Sequence, residues 1–193
     1  MQKLSIQDYE VLHTQREDQY DEILQLAALN LNCKYAALSI KNDNGFWLKS
    51  KIGFNFNEIS HDDSFWKYHP GNESDLLIIE DVRKIEGLKD NILVSCHPYV
   101  VSYTGSPIIA KNGEILGVLS IFDNKPRSIT PDQQTVLKIL SKQILRLIEA
   151  GEEEKRLKDT KSELQETRLQ LKESEKYYKS LIDNAGDIFY EIT

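Results

Sequence analysis

The stretch "SYTGSPIIAKNGEILGVLSIFDN", residues 102–124, decides the fold. Two apolar segments flank Asn112-Gly113, and this pair favours a tight turn between antiparallel strands because both residues tolerate positive φ. The return segment, from Ile115 to Phe122, is apolar at positions that face both sides of a strand. A strand that is apolar on both faces is covered on both faces. We therefore expect an antiparallel sheet with this strand near its centre.

A second hairpin is predicted upstream, in "KYAALSIKNDNGFWLKSKIGF" at residues 34–54. Strand alternation places Ala36, Leu38 and Ile40 on one face, and "NDNG" at residues 42–45 is a strong turn signal. The segment "DLLIIED", residues 75–81, reads as a short buried strand. The stretch "SHDDSFWKYHPG", residues 60–71, reads as a short helix or loop with crowded aromatic rings.

Helices are predicted at both ends of the sheet-forming region. An apolar stripe at helical spacing indicates a first helix over about residues 5–32. A final long helix begins at "TPDQ", where Thr130 caps it, Pro131 suits the first helical position and Gln133 completes a capping box. Gly151 weakens this helix by about 1 kcal/mol, but no proline forces it to end before the 170s.

The charged segment 150–177 carries a heptad pattern. Large residues recur every seven positions, and mostly small polar residues follow three positions later. These two series are Leu157, Leu164, Leu171 and Tyr178, and Thr160, Thr167, Ser174 and Leu181. We interpret them as the seam of a parallel two-stranded coiled coil; a single charged linker helix and a disordered segment are the alternatives. The ten-residue interval from Leu147 to Leu157 breaks the heptad, so we place the domain boundary near Gly151.

Composition excludes several classes of protein. A net charge of −7 argues against nucleic acid as the main partner, because there is no basic excess to displace phosphate counterions. Two cysteines, Cys33 and Cys96, are too few for a disulfide framework or a structural zinc site, and they fit a reducing compartment. Neither a membrane span nor a secretory signal is apparent. We expect a cytoplasmic chain with no membrane partner, which could be a piece of a longer protein.

The central stretch and its continuation to residue 144, together with "LIIEDV" at residues 77–82 and the upstream hairpin, resemble the GAF domains of bacterial multidomain signalling proteins, of the sensor histidine kinase type. The resemblance spans about residues 20–149. It implies an α+β fold, in which a central antiparallel sheet of about six strands has helices on one face and a small-ligand pocket on the other. The long C-terminal helix would form the coiled coil.

A second resemblance concerns the end of the chain. "SEKYYKSLIDNAGDIFYEIT", residues 174–193, resembles the start of a PAS domain, with a short helix followed by a first strand at 187–192. The expected organisation is therefore a GAF domain with its N-terminal helix at 1–149, a coiled-coil signalling linker at 150–177 and the truncated start of a PAS domain at 178–193. The resemblance implies that the parent chain continues into PAS and kinase domains, and that this fragment is not catalytic.

The resemblance also implies which residues line a pocket. The "SFWKYH" stretch and residues 91–103 would bound the cavity beside the sheet. The expected ligand-pocket residues are aromatic apart from one cysteine: Phe65, Trp66, Tyr68, Cys96, Tyr99 and Tyr103. The alternative is that these rings fill the cavity as core. His61 and His69 are interpreted as surface residues, and Asp123 with Arg127 as a pair that closes the loop between the last strand and the final helix.

The adjacent pair Cys96-His97 raises the question of a covalent cofactor. Phytochrome-like GAF domains attach a bilin at such a pair, but Pro98 follows here, where a continuous helix would be needed. GAF-type methionine sulfoxide reductases use several cysteines, and two do not reproduce that pattern. The sequence requires no cofactor or metal, and neither bilin nor haem is expected.

The function predicted from the sequence is regulatory. A GAF module of a cytoplasmic signal-transduction protein would relay small-ligand or conformational input through a dimeric coiled coil to PAS and output domains. A homodimer is expected, together with an unidentified small-molecule ligand. The alternative is a purely structural dimerisation module without a ligand; a bilin-binding photosensor and a GAF-type reductase are more distant alternatives.

Overall fold

The computed structural model describes residues 18–70 and 75–190, with side-chain surroundings as far as Ile182. Three α-helices are present in these ranges: α1 (Asp18–Leu31), α2 (Ile92–Ser95) and α3 (Pro131–Tyr190). The six strands are β1 (Tyr35–Asn42), β2 (Gly45–Ile52), β3 (Glu58–Ser60), β4 (Leu77–Ile79), β5 (Ser102–Ile109) and β6 (Ile115–Asp123). Two 3-10 turns cover Phe65–Tyr68 and Val82–Lys84.

The chain divides into two compact units, the first ending at Ala150 and the second beginning at Gly151. The first unit contains one antiparallel sheet with the strand order β3-β2-β1-β6-β5-β4. β6 lies in the middle of this order and is buried along nearly its whole length. The predicted fold class, a six-stranded antiparallel sheet with flanking helices, is therefore confirmed, as is the central position of the return strand.

Close approach of the two central strands depends on Gly117. β1 pairs with β6 so that Leu38 lies opposite Leu119 and Ile40 opposite Gly117. A Cβ atom added at Gly117 would lie 2.1 Å from the carbonyl oxygen of Ser39, closer than real contacts allow. The absence of a side chain at Gly117 thus lets β1 lie against the start of β6.

Each face of the sheet carries its own apolar layer, because strand residues alternate between the two faces. The first layer joins α1 and the beginning of α3 to the sheet; it includes Leu24, Leu31, Leu38, Ile121, Leu137 and Ile144. The second layer joins the opposite face to the chain between β2 and β5; it includes Ala37, Phe65, Trp66, Tyr103, Val118 and Phe122. Ala37 and Leu38, neighbours in sequence, belong to different layers, as strand alternation predicts.

Arg127 connects the end of β6 to the end of α1. Its Nε donates a hydrogen bond to a carboxylate oxygen of Asp123 at 3.1 Å, and Nη2 also pairs with that oxygen. Its Nη1 donates to the carbonyl oxygen of Leu31 at 2.6 Å, and Nη2 to that of Asn32 at 2.9 Å. The guanidinium therefore satisfies carbonyl groups at the C-terminus of α1, where a cation is favourable. The predicted pairing of Asp123 with Arg127 is confirmed.

The predicted capping box opens α3. The backbone N–H of Gln133 donates to Oγ1 of Thr130 at 3.3 Å, and the backbone N–H of Thr130 donates to Oε1 of Gln133 at 3.1 Å. The helix passes Gly151 without a break and continues to Tyr190. α1 begins at Asp18 among the described residues, and the part of its prediction before that residue lies outside them.

The prediction of a strand at residues 187–192 is wrong for residues 187–190, because the backbone is helical as far as Tyr190. Residues 191–193 lie outside the described ranges. A strand needs a neighbour to pair its N–H and C=O groups, whereas a helix pairs them within the same segment. The proposed start of a PAS domain at 178–193 stays a prediction.

The second unit exposes apolar side chains along α3. Leu157, Leu164, Leu171 and Tyr178 keep 60–67% of their surface exposed. The coiled coil that this series predicts is an association between chains and stays a prediction. Within residues 18–70 and 75–190, none of the helices is long and apolar enough to cross a membrane.

We expect Arg127→Ala to lower the free energy of unfolding by about 3–5 kcal/mol, because Asp123 is only 2% exposed and would lose the cation that compensates it. Arg127→Lys should lose less, since it keeps the charge but not the planar set of donors. Urea denaturation followed by circular dichroism measures both. Lys138→Ala on the exposed side of α3 is the control, and an equal effect of the two alanine substitutions would contradict this role for Arg127.

Candidate functional site

The second face of the sheet is covered by the chain between β2 and β5, and Ser64 shapes the part of that cover nearest the sheet. Its Oγ accepts a hydrogen bond from the backbone N–H of Trp66 at 3.2 Å and caps the 3-10 turn Phe65–Tyr68. Phe65 and Trp66 are buried, at 2% and 8% exposure. The capped turn therefore places two large rings against the sheet.

Three of the predicted pocket residues come together there, and they pack tightly. The rings of Phe65 and Tyr103 have centroids 5.1 Å apart, and Tyr103 and Phe122 are 5.2 Å apart. The Tyr103 hydroxyl forms a hydrogen bond with Oγ of Ser120 at 3.2 Å, and burial raises the pKa of this phenol. The space left between these side chains is about 20 Å³, room for about one water molecule.

Gly105 makes this packing possible. A Cβ atom added there would lie 2.4 Å from Oη of Tyr103 and 3.1 Å from Cζ3 of Trp66. Both rings thus pass over the bare backbone of β5. Trp66, Tyr103 and Phe65 serve as core in this arrangement, and any small ligand must bind elsewhere or displace one of them.

Cys96 lies apart from these rings, at the rim of a cavity of about 270 Å³. This rim cavity is bounded by β3 and by α2, and its walls are mixed in character: Phe56, Glu58, Ile59, Ser60, Asp63, Ile92, Leu93, Cys96 and His97. Asn91 fixes the position of α2, since its side chain accepts from the N–H of Leu93 at 2.9 Å and donates to the carbonyl oxygen of Asp63 at 2.8 Å. The volume is close to the lower end for small-molecule sites.

In the described structure, no hydrogen bond joins the side chains of Cys96 and His97. Cys96 ends α2, and its Sγ lies 3.9 Å from Oγ of Ser95. The His97 ring instead contacts Tyr35 and Tyr99 edge to face, with centroids 6.2 and 6.4 Å away. The geometry therefore lacks a base positioned on the thiol.

The remaining predicted pocket residues lie further out. The hydroxyl of Tyr68 donates to the carbonyl oxygen of Gly87 at 3.3 Å. Tyr99 has a positive φ of 57° and is 59% exposed. Of the six residues, the structure thus brings Phe65, Trp66 and Tyr103 together and places Cys96, Tyr68 and Tyr99 outside that group.

A further cavity, of about 170 Å³, was not expected from the sequence. Its walls are Lys41, Phe46, His61, Ser64, Trp66, Lys67, His69 and Ile115. The interpretation of both histidines as surface residues holds for His61, which is exposed, whereas His69 is partly buried. The only local signal is "HDDSFWKYH" at residues 61–69, which holds two histidines and a lysine within nine residues. Lys41 and Ile115 reach this cavity through the fold alone.

Cys33 differs from Cys96 in its surroundings. It is partly buried at the end of α1, where its backbone N–H donates to the carbonyl oxygen of Ala28 at 3.0 Å. Burial raises the pKa of its thiol to about 11, against the opposing effect of the nearby Arg127. The Cys33 thiol is therefore held in its neutral, unreactive form at neutral pH.

The profile of the GAF domain family matches residues 15–148. The chain therefore belongs to the GAF domain family.

Individual relatives agree with that assignment. A cyclic di-GMP phosphodiesterase of Pseudomonas aeruginosa is 26% identical over 111 residues, which cover 58% of this chain and 19% of the relative. The chain thus spans about a fifth of that relative's length.

Solved structures share the fold. A domain assigned to a two-component sensor histidine kinase of Sinorhizobium meliloti 1021 superposes with a TM-score of 0.55 and 15% identity, covering 71% of this chain and 92% of that domain. A type II free methionine-R-sulfoxide reductase of Thermoplasma acidophilum gives a TM-score of 0.57 and 16% identity, covering 73% of this chain and 94% of the reductase. At these identities the likeness establishes the fold, and function must be argued from this chain's own residues.

The two cysteines should label at different rates. At pH 8 a thiol whose pKa is about 11 rather than 9.0 has about 100-fold less thiolate, the form that attacks an alkylating reagent. We expect the Cys96→Ser variant, which retains only Cys33, to react with iodoacetamide at least tenfold more slowly than the Cys33→Ser variant. Mass spectrometry of timed samples measures this, and urea should abolish the difference. Equal rates in the folded protein would contradict the burial of Cys33.

We expect Gly105→Ala to destabilise the fold by about 1–3 kcal/mol, because its methyl group would overlap the Tyr103 hydroxyl. The measurement is urea denaturation followed by the combined fluorescence of Trp47 and Trp66. Combining Gly105→Ala with Tyr103→Phe should recover part of the loss, since the hydroxyl is the nearest atom. Strict additivity of the two substitutions would count against this packing.

Proposed function

We propose that the chain is the regulatory GAF module of a cytoplasmic signal-transduction protein, and that it relays input to further domains through a dimeric coiled coil formed by α3. The observation that carries the proposal is the change in burial along α3. Its early residues belong to the core of the first unit, and leucines at seven-residue intervals are exposed in the second.

The early part of α3 is bound firmly to the sheet. Leu137, Ile144 and Ile148 are each at most 1% exposed and belong to the first apolar layer. Because packed cores have few alternative arrangements, a change in the sheet would shift this segment as a body. An unbroken helix carries such a shift along its axis, since each turn is hydrogen-bonded to the next.

The later part of α3 supports self-association. Leu157, Leu164 and Leu171 are 63%, 67% and 60% exposed, and pairing with a second copy would remove this apolar surface from water. Thr160 and Thr167 occupy alternating seam positions and weaken the contact. A weak seam suits a switch, because alternative registers differ by little free energy.

The proposed organisation follows the predicted boundaries: a GAF domain at 1–149, a linker at 150–177 and the start of a PAS domain at 178–193, with a histidine kinase as the output. The Pseudomonas relative, a phosphodiesterase, carries a related segment within a much longer chain, which supports a further output domain in the parent protein. The fragment itself would have no catalytic activity.

A second candidate is a dimerisation module that binds no ligand. The filled interior favours it, because only about 20 Å³ remains between the rings on the second face. In that case input would arrive as a conformational change from neighbouring domains. The two candidates share the coiled coil and differ in whether a small molecule binds the first unit.

Dimerisation is tested by removing leucines from the seam. We expect the Leu164→Asn/Leu171→Asn double variant to raise the dimer dissociation constant at least about tenfold, as the loss of buried apolar surface requires. Sedimentation equilibrium measures the constant. Leu169→Asn is the matched control, since Leu169 is also 63% exposed but lies outside the seam. A monomeric wild-type chain at 100 μM, or an equal effect of the control, would contradict the proposal.

A further inference from the structure

The 170 Å³ cavity bounded by Lys41 and His69, here called the Lys41–His69 cavity, has an apolar floor and a basic rim. Phe46 and Trp66 form the floor and are buried, at 6% and 8% exposure. Lys41, His61 and Lys67 are exposed at the rim. Such a division suits a ligand with an apolar body and a charged head.

The rim of this cavity is positively charged, whereas the chain as a whole is negatively charged. The sequence has a net charge of −7, yet no acidic residue is among those that line this cavity in the described structure. Lys67 Nζ donates to the backbone carbonyl of Asp62 and lies 5.3 Å from the centre of the Tyr68 ring. Within residues 18–70 and 75–190, neither Lys41 nor Lys67 forms an ion pair, so both charges remain available to an anion.

Two buried nitrogen atoms of the lining residues have no hydrogen-bond partner in the described structure, Nε1 of Trp66 and Nδ1 of His69. Nε2 of His69 lies 3.2 Å from the carbonyl oxygen of Asp75, which can only accept, so Nε2 carries a proton. Because Nε1 and Nδ1 are themselves buried, neither presents a surface to an occupant of the cavity. The two rings are close, with centroids 4.8 Å apart.

The charge of an occupant would therefore be compensated at the rim. A carboxylate placed there would face the exposed ammonium groups of Lys41 and Lys67, while an apolar body would lie against the rings of Phe46 and Trp66. The volume of about 170 Å³ limits the rest of the molecule to a small body, well below the size of a nucleotide.

We propose that the Lys41–His69 cavity binds a small organic carboxylate whose apolar body lies on Phe46 and Trp66 and whose carboxylate faces Lys41 and Lys67. This inference rests on the proposed sensory function and names the class of its ligand. The cavity adjoins the beginnings of β2 and β6, through Phe46 and Ile115, so an occupant would contact the central sheet directly.

The first test uses the full chain and three probes at pH 7, measured by isothermal titration calorimetry. Benzoate should bind one site with a dissociation constant below about 1 mM. Methyl benzoate, which has the same ring without the charge, should bind at least tenfold more weakly. Inorganic phosphate, which is charged but has no apolar body, should displace benzoate with an inhibition constant at least tenfold higher than the dissociation constant of benzoate.

The second test removes the charges of the rim. The Lys41→Gln/Lys67→Gln double variant should weaken benzoate at least tenfold, and Lys84→Gln/Lys89→Gln, an equal change of charge at exposed sites outside the cavity, should not. Trp66→Leu, which removes one of the two aromatic rings from the floor, should also weaken benzoate binding. Because Trp66 is buried, circular dichroism melting must first show that this variant is folded; the exposed lysine variants carry the test in either case.

Three results would overturn the inference: no binding of benzoate up to 20 mM, equal binding of the ester, or equal loss in both lysine double variants. Phosphate binding as tightly as benzoate would also overturn it, because it would define a site for inorganic anions. The dimer measurement is independent of these titrations. A dimer that does not bind benzoate contradicts only the ligand class, whereas a monomer contradicts the proposed relay.

Discussion

The bond network of Arg127 is the constraint on which the first unit depends. Its guanidinium holds the buried carboxylate of Asp123 at the end of β6 and the last carbonyl groups of α1, from Leu31 and Asn32. Because α1 is anchored there, β1 can start at Tyr35 and pair with β6 in its observed register. α1 and α3 then cover one face of the sheet, and the chain between β2 and β5 is left to cover the other.

The chain between β2 and β5 determines how much space for a ligand remains on the second face of the sheet. Gly105 lets Trp66 and Tyr103 pass over β5, so the interior that could have held a ligand is occupied by rings. The open space lies instead at the edges of the cover, in the rim cavity beside Cys96 and in the Lys41–His69 cavity. The second of these has an apolar floor and exposed lysines at its rim, which is why its charge and volume are informative about an occupant.

Features that were predicted well depend on residues close together in the sequence. Both hairpins, the capping box at Thr130 and the Asp123–Arg127 pair involve partners within a few positions of a recognisable turn or cap. The strand predicted at 187–192 failed as far as Tyr190, because a strand depends on neighbours and the helix does not. The heptad in the later part of α3 could be recognised by spacing alone, but association between chains is a separate question.

The sequence by itself determined the fold class, the central strand, the start of α3 and the exposed heptad leucines, since periodicity and turn chemistry are local properties. Only the tertiary structure decided which of the predicted pocket residues meet. It separated Cys96 from Phe65, Trp66 and Tyr103, and it brought Lys41 and Ile115 to the histidines of residues 61–69. The physical reason is that strand pairing joins residues more than 70 positions apart, and no local pattern encodes which side chains then share a cavity.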